Sequence, residues 1–170
     1  MTVVTSSNRF QPLLVSTSKT LSANNTTAHV PIFSLTGVID LIDLYGVVTT
    51  TLGANQTAAG FRLNDQTAQV DITLAAGTTI SAAPVNSLIA RTALAATALT
   101  YKSAAAGAVM EPNAATTTDT FLPIVLVQKT GAVTTNIEFS YTTTDTPTSG
   151  VIQFFAHYLP KSAGSSLSPL

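Results

Sequence analysis

The chain has 170 residues and no cysteine, and only 9% of its residues are charged, against about 25% in a typical soluble domain. Seven Lys and Arg stand against eight Asp and Glu, a net charge of −1, so the chain lacks the basic surface that nucleic-acid binding requires. The absence of cysteine excludes disulfides and thiolate metal sites, and an apolar content of 45% is too high for a disordered chain.

Residues 1–28 are predicted to form an extended N-terminal arm. The segment is rich in Ser, Thr and Asn and carries two apolar patches, at residues 3–4 and 13–15. A disordered terminus would explain the polar residues, whereas the apolar patches favour an arm that docks on a neighbouring subunit. The sequence leaves both interpretations open. No basic residue precedes an apolar run here, so we expect no signal peptide.

From residue 29 onward, short apolar and β-branched runs alternate with turn residues, which predicts a series of β-strands. Gly46 lies inside one long run and suggests a bulge or bend there. Residues 68–74 alternate strictly between apolar and polar, which predicts a strand with one buried face. The strands predicted in this half of the chain cover residues 29–36, 38–52, 61–63, 68–74 and 78–82.

The second half continues the same pattern with one ambiguous segment. Residues 88–106 are rich in alanine, which favours helix, but their threonines favour a strand, and both interpretations stay open. Residues 128–131 predict a tight hairpin connection. The most regular alternation then covers residues 133–141. Further strands are predicted at residues 121–127 and 151–159, the latter ended by Pro160.

Eight to nine short strands without a convincing helix predict an all-β protein, an antiparallel β-sandwich of jelly-roll-like form with an extended N-terminal arm. An immunoglobulin-like sandwich is the second interpretation. The expected organisation is an arm over residues 1–28, a β-sandwich domain over 29–160 and a short C-terminal tail over 161–170. No apolar run approaches the roughly 20 residues of a membrane helix, so we expect no membrane partner.

The sequence contains no constellation that predicts catalysis, so we expect no enzyme and no catalytic, cofactor-binding or metal-binding residues. His29 and His157 lie far apart in sequence, and two histidines do not supply the three or four ligands of a zinc site. No serine lies in a nucleophile-elbow pattern. Asp40 and Asp43 lie three residues apart in a strand-like run and are expected to point to opposite faces.

Three of the few aromatic residues lie close together in the last predicted strand: Phe154, Phe155 and Tyr158. Glycan-binding surfaces usually present exposed Trp or Tyr, and the chain has no Trp. We therefore expect these three side chains to pack in the core or against other subunits.

The surface composition favours an assembly protein over an enzyme. Thr, Ala and Ser make up 69 of the 170 residues, and threonine suits strand surfaces. A surface of small, uncharged side chains packs against other subunits with little desolvation of charge, whereas burying an unpaired charge is expensive.

Several segments resemble recurring parts of small tailed-phage virion proteins. Residues 33–65 carry Thr36-Gly37, the run Gly46-Val47-Val48-Thr49-Thr50 and Gly53, similar to a "TG, apolar strand, G-V-T-T, apolar, G" pattern with one extra valine. VDITLAAGTTISA (residues 70–82) is similar to the segment that follows it in those proteins. GVIQFFAHYLPKSAG (residues 150–164) is similar to their terminal strand, with its stop at Tyr158-Leu159-Pro160.

The resemblance implies a structural virion protein, a decoration (cement) protein that binds across subunits of the major capsid protein and stabilises a bacteriophage head. It further implies a homotrimer on the outer surface of the head, made in the bacterial host cytoplasm. The alternatives are a receptor- or glycan-binding tail or fibre knob module, or a tail adaptor protein.

Overall fold

The computed structural model describes residues 11–73, 78–91, 100–102, 123–131, 134–144 and 150–170. These residues form an all-β sandwich of two antiparallel sheets. The strands are β1 (Leu13–Leu21), β2 (Thr27–Thr36), β3 (Val38–Thr50), β4 (Gln56–Asn64), β5 (Gln69–Asp71), β6 (Leu88–Ala90), β7 (Thr100–Lys102), β8 (Ile124–Val127), β9 (Thr135–Thr143), β10 (Gly150–Pro160) and β11 (Ser166–Pro169).

The first sheet has the strand order β1-β10-β3-β6-β7, and β8 pairs with the beginning of β3. The second sheet has the order β11-β2-β9-β4-β5. In β10, buried and partly exposed residues alternate over its whole length up to Pro160, as expected for a strand with one face on the core. The predicted β-sandwich is therefore confirmed.

The core lies between the two sheets and is centred on three phenylalanine rings. Phe154 projects inward from β10, and its ring centroid lies 5.0 Å from that of Phe139 on β9 and 6.1 Å from that of Phe61 on β4. Rings from both sheets thus interdigitate, and aromatic pairs at these separations stabilise the packing beyond the area that they bury.

The two sheets are also joined along one margin of the sandwich. Strand β1 pairs with β10 over nine residues, and Thr17 Oγ1 donates a hydrogen bond of 3.0 Å to the Leu170 carbonyl that follows β11. Residues 13–21, which we expected within an arm, therefore form a strand of the sandwich. Strand β11 likewise lies within the expected C-terminal tail and pairs with β2. Residues 1–10 of the arm lie outside the described residues.

Three predicted local features differ from the structure. Residues 78–82 form a loop and not the predicted strand. This loop runs alongside the start of β4, where Ile80 N donates to the Gln56 carbonyl. The predicted strand at 68–74 ends at Asp71 because Ile72 N and Thr73 N both donate to the Phe61 carbonyl, which breaks the regular ladder. The predicted hairpin at 128–131 is wrong: β8 and β9 lie in different sheets, so this segment crosses between them.

The ambiguous segment forms strands where it is described. Strands β6 and β7 pair with each other, while residues 92–99 and 103–106 lie outside the described residues. Among the described residues, the structure has no helix long and apolar enough to span a membrane.

Candidate functional site

The outer face of the second sheet carries a connected polar network that sequence reasoning did not find. Arg62 on β4 donates from Nε to Glu138 Oε2 at 2.7 Å, and its Nη2 lies 2.7 Å from the same oxygen. Asn64 Nδ2 donates to Glu138 Oε1 at 2.9 Å, and Arg62 Nη1 donates to Gln69 Oε1 at 2.7 Å. Arg62 and Glu138 are only 7% and 4% exposed, so the ion pair is almost fully desolvated.

His29 joins this network and fixes its own tautomer there. Its Nε2 lies 3.3 Å from Arg62 Nη1, and its Nδ1 lies 3.0 Å from Ser140 Oγ. A guanidinium can only donate, so Nε2 must accept and Nδ1 carries the proton toward Ser140. Burial, followed by the Arg62 charge, lowers the pKa of His29, which further favours the neutral ring.

This geometry is the reverse of a catalytic triad. A general-base histidine takes the serine proton on an unprotonated nitrogen while an acid holds the other nitrogen. Here His29 offers Ser140 an N–H, and the group at its second nitrogen is the Arg62 cation. Ser140 is thus not activated, and the network is built to hold β2, β9, β4 and β5 together.

The outer face of the first sheet carries a second group of side chains, which we call the aromatic–acid cluster: Asp43 and Tyr45 on β3, and Phe155 and His157 on β10. The strand register places Tyr45 opposite Phe155 and Asp43 opposite His157. The Tyr45 and Phe155 rings stack, with centroids 5.0 Å apart and an interplanar angle of 15°. His157 Nδ1 lies 3.8 Å from Asp43 Oδ2.

The expectation that Asp40 and Asp43 point to opposite faces is wrong. The β3–β10 register shifts between His157 and Tyr158, so that Ile42 is an extra residue on β3. This bulge reverses the alternation, because Leu41 and Leu44 are both buried. Both carboxylates therefore lie on the outer face, where Asp40 Oδ2 lies 2.8 Å from Lys161 Nζ.

The aromatic residues of β10 divide between the two faces. Phe154 and Tyr158 are buried in the core, which confirms the expectation of core packing for these two. Phe155 lies on the outer face and is only partly buried, so it does not pack in the core, and its packing against other subunits stays a prediction. The alternation of β10 carried this signal, since 154 and 155 must face opposite sides of a strand.

The two histidines lie in different sheets, His29 on β2 and His157 on β10. Among the described residues, no group of three or more His, Asp and Glu side chains is arranged to hold a metal ion.

A cavity of about 340 Å³ lies between the β4–β5 turn and the segment linking β8 to β9. Leu63, Val70 and Val127 form its apolar walls. Asp65 accepts hydrogen bonds from two backbone amides of its own turn and lies 3.4 Å from Lys129 Nζ. The Asp65 carboxylate of this cavity is therefore already paired.

One end of the outer face of the first sheet is apolar. Leu14 on β1 is 58% exposed, and Val125 and Val127 on β8 are 60% and 54% exposed. Leu159 and Val38 lie on the strands between them and are partly exposed. We call these five residues the apolar end. Asp40 lies between Leu159 and Val125 in this part of the sheet, and its carboxylate is paired with Lys161. Exposed apolar side chains grouped in this way are typical of an interaction site.

No known protein family matches the chain, and neither a curated protein nor a solved structure matches it.

Proposed function

We propose that the chain is a structural virion protein that decorates and stabilises a bacteriophage head by binding across subunits of the major capsid protein. The observation that carries this proposal is the apolar end of the first sheet. In water such a surface is unfavourable, at about 25 cal/mol per Å² of exposed apolar area, and binding to another subunit would remove it from solvent.

The charges near the apolar end suit a fixed assembly. Asp40 Oδ2 lies 2.8 Å from Lys161 Nζ, so docking would not bury the Asp40 carboxylate as an isolated charge. The remainder of the chain adds few charges, since only 9% of all residues are charged. Burying a surface that carries its charges in pairs costs far less than burying unpaired ones.

The strand pairing supports a jelly-roll interpretation of the sandwich. Strand β1 pairs with β10, β2 with β9, β3 with β8, and β4 with β5. These pairs are nested, as in one long hairpin rolled up into two sheets. Jelly rolls occur in viral capsid proteins and in lectin domains, so the fold is compatible with the virion role and with the glycan-binding alternative.

The arm enters the sandwich beside the apolar end. Leu13, the first residue of β1, pairs with Tyr158, and Leu14 next to it belongs to the apolar end. Residues 1–10 therefore join the fold where we propose that the capsid binds. An arm that starts at the docking surface can extend over the neighbouring capsid subunit and increase the contact area.

A non-catalytic role fits the polar network around Arg62. Its histidine donates to the serine instead of accepting a proton from it, and its charges are locked in a buried pair. We accordingly propose a protein without enzymatic activity. On the resemblance to small tailed-phage virion proteins, we further propose a homotrimer on the outer surface of the head, made in the bacterial host cytoplasm.

The test measures binding of the purified protein to empty heads of the phage that encodes it. A Val125→Asp/Val127→Asp variant is expected to lose at least tenfold in affinity, because docking would then bury two unpaired carboxylates. Val85→Asp is the matched control, since Val85 is 43% exposed but lies in the loop beside Val48, at the other end of β3 from Val38. Full binding by the double variant, or equal loss in the control, would contradict the proposal.

Three further measurements define the role. Quantitative mass spectrometry of purified particles is expected to find hundreds of copies per head, whereas only a few copies would indicate a tail or fibre position. Deleting residues 1–10 leaves β1 intact and is expected to weaken head binding while circular dichroism still shows the β-sandwich. Light scattering of the free protein measures the expected trimer.

A further inference from the structure

The aromatic–acid cluster occupies a compact square on the outer face of the first sheet. Tyr45 and Phe155 form one edge of the square, and Asp43 and His157 form the opposite edge. Neighbouring strands lie about 4.8 Å apart, and residues two apart on one strand lie about 7 Å apart. The square therefore matches a single six-membered sugar ring in area.

The aromatic edge offers an apolar ring face to a ligand. Phe155 uses one face of its ring to stack on Tyr45, so its second face is turned toward β1, where the opposing residue is Ser16. On the far side of Tyr45 the neighbour on β6 is Ala90. Both flanking side chains are short, so the stacked rings stand above their neighbours on both sides.

The polar edge offers hydrogen-bonding groups with little net charge. The Asp43 carboxylate lies beside His157 and feels the positive charge of Arg91, which follows β6. Both Asp43 and His157 retain about a third of their side-chain exposure, so their polar atoms remain accessible to a ligand. Burial raises the pKa of Asp43, a sign that the carboxylate is incompletely solvated and would gain from additional donors.

We infer that the aromatic–acid cluster is a binding site for a neutral saccharide. The C–H groups on one face of a sugar ring pack on an aromatic ring, while its hydroxyls need donors and acceptors at the rim, and such a combination is typical of small-ligand sites. A carboxylate accepts and an imidazole or phenol hydroxyl donates or accepts. A cationic ligand is less suited, because Arg91 and His157 already lie beside the carboxylate.

This site adjoins the apolar end, since Leu14 lies opposite His157 in the β1–β10 ladder, but it consists of other side chains, so saccharide binding does not depend on capsid binding. The two surfaces lie on the same sheet, but the cluster consists of β3 and β10 residues near the middle of these strands.

The experiment screens the purified full-length protein on an array of neutral and acidic glycans, followed by calorimetry with the strongest neutral ligand. Phe155→Ala and Asp43→Asn are each expected to lower the affinity at least tenfold. Ser18→Ala is the matched control, since Ser18 lies on the outer face of β1 away from the cluster and should bind as the unaltered protein does.

The results of the glycan array and of calorimetry test saccharide binding at this site alone. Absence of binding to every neutral glycan, binding to acidic glycans only, or unchanged affinity in both variants would overturn the inference. Asp43→Asn is nearly isosteric and keeps the proposal testable if Phe155→Ala fails to fold. Because the assay uses no phage heads, its failure would leave the capsid proposal untouched, and the reverse also holds.

Discussion

Gly46 on β3 and Phe154 on β10 face each other across the first sheet, and the glycine leaves the space that the phenylalanine ring fills. A Cβ atom at Gly46 would lie 3.1 Å from Cδ1 of the Phe154 ring and 2.6 Å from Ile152 Cγ2. The ring of Phe154 in turn contacts both Phe61 and Phe139. The position of this glycine therefore determines how the central rings of the core pack.

Gly46→Ala is expected to lower the free energy of unfolding by about 1–3 kcal/mol, the usual cost of overpacking a core. The added methyl group must displace Ile152 or the Phe154 ring, and neither has free space. Urea unfolding followed by circular dichroism measures the change. A double-mutant cycle with Ile152→Ala is the control: the cost of Gly46→Ala should be smaller in that background. An equal cost in both backgrounds would contradict this account.

Tyr141→Phe tests the bond that ties the β1–β2 connection to β9. The Tyr141 hydroxyl oxygen accepts a hydrogen bond of 3.0 Å from Ala23 N, and the side chain is buried. Removing the hydroxyl leaves this amide without its partner, so we expect a loss of about 1–3 kcal/mol in the free energy of unfolding.

Tyr158→Phe is the matched control, because the Tyr158 hydroxyl makes no hydrogen bond to any of the described residues and its ring is also part of the core. Its expected change is close to zero. Equal losses in the two variants, measured by denaturant titration, would show that the Ala23 bond contributes nothing specific.

Glu138→Gln tests the desolvated ion pair of the second sheet. The substitution keeps the shape of the side chain but leaves the Arg62 guanidinium without its counter-charge, which costs about 3–5 kcal/mol at a buried site. The double variant Arg62→Met/Glu138→Leu is expected to lower the free energy of unfolding less than Glu138→Gln does, because no uncompensated charge remains. Calorimetric melting of the three proteins checks the order, and a double variant less stable than Glu138→Gln would contradict it.

Two strands with a clear alternation could be predicted from the sequence to within two residues, whereas the strict alternation at 68–74 produced only the short β5 (Gln69–Asp71). The pattern at 133–141 became β9 (Thr135–Thr143), and that at 151–159 became β10 (Gly150–Pro160). Alternation reports which residues share a face, but it does not report whether the outer face is covered. The alternation around Glu138 therefore indicates a solvent-facing residue, whereas in the structure the long side chain of Arg62 buries it.

Features that depend on one inserted residue or on distant pairing could not be predicted. The bulge at Ile42 brings Asp40 and Asp43 to one face, and nothing in the apolar run around it marks the extra residue. Strand β11 has only one buried apolar side chain, Leu167, and exists because β2 presents an edge to it. The aromatic–acid cluster needs both the bulge and the β3–β10 register.

The buried network around His29 predicts how stability depends on pH. The pKa of His29 is lowered from 6.5 by burial and then by Arg62, with Glu138 acting in the opposite direction. The unfolded chain therefore takes up a proton at higher pH than the folded protein does. The stability linked to His29 is complete above pH 6.5 and is lost as the pH falls from 6.5 through the lowered folded pKa.

The melting temperature of the unaltered protein is thus expected to fall more steeply between pH 7 and pH 5 than that of His29→Gln. The charged groups that face His29 are Arg62 on β4 and Glu138 on β9, with Asp71 on β5 opposite Arg62 in the ladder, and the variant leaves all three in place. The pKa of Asp43 is raised, so its contribution to stability rises as the pH falls, opposite to that of His29. Asp43 lies on the other sheet, however, and is present in both proteins. It cancels in the difference between the two melting curves, which isolates His29. Parallel curves would contradict the lowered pKa of His29.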